Sequence, residues 1–79
     1  MINVVFAAPF PMSATLKFIR ALGKLQGIKL LGVFQRPPQG AERRLFSDIV
    51  TVRNALSVQQ LDVALRQLRH RHGHIHRLL

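Results

Sequence analysis

NVVFAAPFPMSATLKFIRAL, residues 3–22, followed by IKLLGVF, residues 28–34, decides the fold. Ile2 to Ala8 is almost continuously apolar and rich in valine. Such a run suits a strand covered on both faces, as in a parallel sheet. Ser13 can cap the following helix by accepting a backbone N–H. Phe18, Ile19, Leu22 and Leu25 then recur at helical spacing, with Lys17, Arg20 and Lys24 on the opposite face. Gly27 follows, in the place where a left-handed residue stops a helix. With residues 28–34 as a second strand, the segment is a βαβ unit with a right-handed crossover.

Working outward, QRPPQGAERRLFS (35–47) opens as a polar loop, and AERRLF suits a short helical turn. DIVTV (48–52) is a β-branched third strand. Asn54 or Ser57 can cap a second long helix, whose apolar stripe is Val58, Leu61, Leu65 and Leu68. Asp62 and Arg66 form an i,i+4 pair on it. Gly73 ends that helix, and IHRLL (75–79) starts a fourth strand. The expected fold is α/β: a Rossmann-like parallel sheet fragment of order β-α-β-β-α-β, with helices packed on the sheet. Residues 1–79 read as a single partial domain, half of a larger α/β domain and hence a gene fragment. A unit this short buries only about 60% of the surface of its unfolded chain.

Composition narrows the chemistry. There is no cysteine, so disulfides and zinc thiolates are excluded. The apolar start is too short to span a bilayer, no Lys or Arg precedes it, and Pro9 interrupts it, so no membrane role is expected. Twelve Lys and Arg against three acids give +9. That balance points to nucleic acid, anionic lipid or an acidic partner. Arg43, Arg44, Arg66, Arg69 and Arg71 are the candidate anion or partner surface. The bland alternative is a solvated basic face, since no Tyr or Trp is available as a stacking platform.

The loop Ala8, Pro9, Phe10, Pro11 and Met12 is the first candidate site. Strand-to-helix loops at the carboxyl ends of parallel strands are where α/β proteins bind ligands. The loop has no glycine, and its two prolines lack an N–H, so a phosphate nest is degraded. The alternative is that the prolines stiffen a turn and Phe10 packs on the core. His70, His72, His74 and His76 alternate in HRHGHIH. On a helix, i and i+2 point about 200° apart. No acid stands beside them in sequence, so no designed metal site is expected. Glu42, Asp48 and Asp62 are the only acids. No catalytic set can be assembled from them.

The run INVVFAAPFPMSATLKFIRALGKLQGIKLLGVFQ, then a loop, LFSDIVTV, a helix and RLL, resembles the N-terminal pre-ATP-grasp domain of ATP-grasp enzymes. Biotin carboxylase and the large subunit of carbamoyl-phosphate synthase begin similarly. In those, an acid-containing turn such as ADEA precedes the third strand, and Asp48 occupies that place here. The likeness covers nearly the whole chain and rests on element order and apolar pattern. It implies the substrate-side domain of an ATP-dependent carboxylate ligase, not catalytic alone. ATP and magnesium belong to later subdomains absent from these residues, and none of this chain's residues inherits a catalytic role. The implied partners are the remainder of an ATP-grasp chain and a small carboxylate substrate, in the cytoplasm. Residues 8–12 would face the cleft. The alternative function is a small basic α/β module binding nucleic acid or an acidic partner.

Overall fold

The computed structural model describes all 79 residues. Their order is β1 (Ile2–Ala8), α1 (Ser13–Gly23), β2 (Ile28–Phe34), α2 (Gly40–Arg44), β3 (Asp48–Thr51), α3 (Val58–His72) and β4 (Arg77–Leu78). The four strands form one sheet, ordered β3-β2-β1-β4 and parallel throughout. The expected α/β fold with a Rossmann-like parallel sheet is the fold observed.

Alternation along the strands divides the core. Val4, Leu30 and Phe34 point to one face, where Ile19 of α1 and Phe46 pack on them. Val5, Leu31 and Val33 point to the other, beneath Ala64 and Leu68 of α3. Helices on both faces explain why β1 and β2 read as continuous apolar runs rather than alternating ones. Gly32, at the centre of β2, is a packing requirement. A Cβ there would lie 2.8 Å from Phe34 Cε2 and 3.0 Å from Phe46 Cε1.

Several local expectations need correction. Ser13 does not cap α1. It is the first helical residue, and Met12, in extended conformation (φ −97°, ψ 171°), holds the cap position without a side-chain bond. A cap needs non-helical backbone, and Ser13 already has helical backbone. Likewise α1 ends at Gly23, and the Lys24 N–H turns back onto Ala21 and Leu22 carbonyls, so Gly27 is not its stop. Gly27, at φ +76°, serves the turn into β2 instead, and its carbonyl accepts from the Ile2 N–H at 2.7 Å.

The stripe of α3 is displaced too. Ala64 is buried with Leu68, whereas Val58 in the first turn is 81% exposed. At the other cap the sequence reading holds: Ser57 Oγ accepts from the Gln60 N–H at 3.3 Å. Gly73, at φ +89°, closes α3 with its N–H on the Arg69 carbonyl. No helix is long and apolar enough to cross a membrane.

Candidate functional site

The loop after β1 lies at the carboxyl end of a central strand. Beside it the sheet changes direction of growth: β2 and β3 extend one way from β1, and β4 lies on the other side. That reversal is the place where open α/β sheets form a ligand crevice. The loop is held rather than loose. The Pro9 carbonyl accepts from both the Gln35 N–H (2.9 Å) and the Arg36 N–H (3.0 Å), tying it to the end of β2. Ala8, Pro9 and Pro11 are partly buried, while Phe10 and Met12 point outward, 45% and 64% exposed. Phe10 therefore does not pack on the core. The aromatic contacts there belong to Phe6–Phe18, Phe6–Phe34 and Phe34–Phe46.

At α1 the first bonded N–H is that of Leu16, to the Met12 carbonyl at 2.8 Å. The preceding helical N–H groups have no intrahelical acceptor, as at every helix start. The loop thus presents an apolar pair, Phe10 and Met12, ahead of a helix end of positive polarity. With Pro9 and Pro11 lacking N–H groups and no glycine between Ala8 and Met12, it does not form a phosphate cradle.

The candidate cations divide between two elements on opposite faces. Arg43 and Arg44 belong to α2, and Arg43 donates to the Phe46 carbonyl at 3.2 Å. Arg66, Arg69 and Arg71 belong to α3. Arg66 is bound to Asp62 at 2.9 Å and Arg71 to Asp48 at 3.0 Å, so of these three only Arg69 has no carboxylate partner. Glu42 is taken by Arg20 at 2.8 Å. All three carboxylates are thus in ion pairs.

The histidine segment has a structural role that sequence distance concealed. His72 Nε2 donates to Asp48 Oδ2 at 2.9 Å, joining the end of α3 to the start of β3. That hydrogen bond, with Arg71 alongside, outweighs burial and holds the Asp48 carboxyl below the usual carboxylate range. His74 and His76 meet edge-to-face, ring centroids 4.8 Å apart. His76 Nδ1 accepts the Asn3 backbone N–H at 3.0 Å, so the ring proton sits on Nε2. No group of three or more metal-ligating side chains converges anywhere in the chain.

Asn3 is the residue that sequence reasoning passed over. It is the buried polar side chain of β1, and its Nδ2 donates to the His72 carbonyl (3.0 Å) and the His74 carbonyl (2.8 Å). Its signal was available: one amide in an otherwise apolar strand must find partners when buried. No family model, no curated protein and no solved structure matches this chain.

Proposed function

We propose that this chain is the N-terminal, substrate-side domain of an ATP-dependent carboxylate ligase of the ATP-grasp type, working in the cytoplasm where ATP is abundant. The observation that carries the reading is the position of Ala8–Met12, fastened through the Pro9 carbonyl at the point where the parallel sheet reverses. A loop so placed lines a crevice. Its chemistry suits the organic part of a substrate, with Phe10 and Met12 as apolar contacts.

The residues present do not fit ATP or magnesium. The loop lacks a phosphate cradle, and each carboxylate already serves a cation. Nucleotide and metal therefore fall to the rest of the enzyme, and the role of this domain is to bind and orient. Expression of the complete reading frame tests the proposal. ADP release should depend on an added carboxylate and magnesium, while the 79-residue chain alone should turn over no ATP. Magnesium-dependent turnover by the short chain, or a full product indifferent to every carboxylate offered, would refute it.

One observation favours a second reading. Nine of the twelve Lys and Arg, all but Arg20, Arg66 and Arg71, have no carboxylate partner. A basic module for nucleic acid or an acidic partner would use them. Phosphate contacts of that kind weaken steeply with salt. Tight binding to single- or double-stranded nucleic acid at physiological salt would put this reading first.

A further inference from the structure

Strand β4 is only two residues long, and one side chain just ahead of it fastens it to β1. The His76 N–H donates to the Asn3 carbonyl at 2.9 Å, and Nδ1 of the same residue accepts the Asn3 N–H at 3.0 Å. The imidazole thus takes the acceptor place that a neighbouring strand's carbonyl fills in an ordinary ladder. Further along, the Leu79 N–H donates to the Val5 carbonyl at 2.8 Å, and the Leu79 carbonyl accepts the Ala7 N–H at 3.1 Å. Ala7 is the last residue but one of β1, so β4 steadies the end of the strand from which the loop Ala8–Met12 departs.

Unlike a carbonyl, this acceptor can be lost to a proton. A backbone N–H only donates, so Nδ1 must keep its lone pair for the bond to exist, and an imidazolium has donors at both nitrogens. Protonation would set an N–H of His76 against the N–H of Asn3. Histidine is the side chain whose charge ordinarily changes between about pH 5 and 8. His76 is exposed, so protons reach it.

The surroundings offer no anion to compensate that charge. His74 meets the His76 ring edge-to-face at 4.8 Å, and Arg77 follows in sequence. From β2, Lys29 stands in register with Asn3. At the chain start, the Met1 ammonium lies two residues before Asn3. From α3, Arg69 and Asp62 border the cleft that His74 also lines, and Asp62 is already paired with Arg66 at 2.9 Å. Arg71 and His72 close on Asp48 instead. Neither His74 nor His76 has a carboxylate partner. At His72 the sign is opposite. A proton there strengthens the bond to Asp48, because it sets a cation against a carboxylate. Mild acid therefore tightens the junction of α3 with β3 while it loosens β4.

We propose that His76 is an acid-released latch. Neutral, it holds β4 on the edge of β1; protonated, it frees residues 77–79 and leaves the Ala7 N–H, at the base of the candidate loop, without its acceptor. The device needs only the strand pairing and is independent of the ligase reading.

Amide hydrogen exchange of the chain, followed by NMR at pH 7.5 and 5.5, tests it. Protection factors at Ala7 and Leu79 report β4, and the fully buried Leu31 of β2 reports the sheet as a whole. One proton taken up only on opening, at an ordinary histidine value near ~6.5, gives a fall of about tenfold at Ala7 and Leu79 over that interval. Leu31 should keep its protection. His76→Asn puts an amide oxygen in the place of Nδ1, an acceptor that takes no proton in this range. Ala7 and Leu79 should then keep at pH 5.5 the protection they have at pH 7.5. His74→Asn should leave the fall in place. Amides of Ala7 and Leu79 unprotected already at pH 7.5, equally protected at both values, or exposed in step with Leu31 would each overturn the latch. So would a fall that persists in His76→Asn, or a His76→Asn chain open at both values, which would show that the ring and not its acceptor holds β4. Loss of the fall in His74→Asn alone would pass the role to His74 and overturn the assignment to His76.

Discussion

Asn3 shows how much one side chain can organise. Its two Nδ2 bonds hold the end of α3 and the following loop, and its own N–H and carbonyl engage His76 through Nδ1 and the backbone N–H. Asn3→Leu keeps the branching at Cγ but leaves two carbonyls without a donor. A cost of about 1–3 kcal/mol is expected in urea unfolding. Asn3→Asp should be worse than Asn3→Leu, because it sets a carboxylate against those carbonyls. The reverse order would show that the amide bonds do not hold the segment. Gly32 makes the complementary point. Gly32→Ala presses a methyl onto Phe34, a fully buried ring with nowhere to move, and should cost about 1–3 kcal/mol as overpacking does. Phe10→Ala with Met12→Ala removes only exposed apolar groups and adds no capping oxygen ahead of α1, so stability should change by less than about 0.5 kcal/mol. On the proposed substrate-side role, the same pair should raise KM for the carboxylate substrate more than it lowers kcat.

Elements are joined here by their ends. The caps illustrate this: Ser57→Ala should destabilise by about 1 kcal/mol, whereas Ser13→Ala should be nearly neutral, because only Ser57 accepts a backbone N–H. Asp48 fastens β3 to the last turn of α3 through His72 and Arg71. Its carboxyl is depressed in the folded chain, so its contribution to stability is fully present above the ordinary carboxylate value near ~4 and is lost as pH falls through the folded value. Stability of the wild type should therefore fall more steeply than that of Asp48→Asn in the acid range below that value. At neutral pH the variant should lose roughly 0.5–1 kcal/mol, since Arg71 is half exposed and solvent screens the pair. Urea midpoints between pH 2 and 7 check this, and parallel curves for the two proteins would sink it.

For the whole molecule, the sheet order determines what faces what. The loop of β1 sits at the reversal point, the cations of α2 and α3 lie on opposite faces, and the α3 face is open beside β4. A basic surface divided in this way favours diffuse, salt-sensitive attraction over a single anion site. Binding of a short oligonucleotide to the 79-residue chain should accordingly be weak and lost on raising salt, as followed by fluorescence anisotropy. A salt-resistant complex would instead assign the cations a shared ligand.

Local order along the chain was legible from its residues because apolar periodicity is set by backbone geometry. The valine-rich run, the stripe around Ile19, and Ser57 and Gly73 at the ends of α3 each carry their signal within a few residues. The βαβ start and the parallel α/β class follow from that order. Contacts between distant residues carried no such signal. Asp48 finds His72, Asn3 finds His76, and Arg20 finds Glu42 only because the sheet is wound as β3-β2-β1-β4. The exposure of Phe10 and Val58, the cap at Met12 and the tightness around Gly32 were likewise decided in three dimensions. Each depends on what packs against a residue from elsewhere in the chain, a property that spacing along one element does not encode.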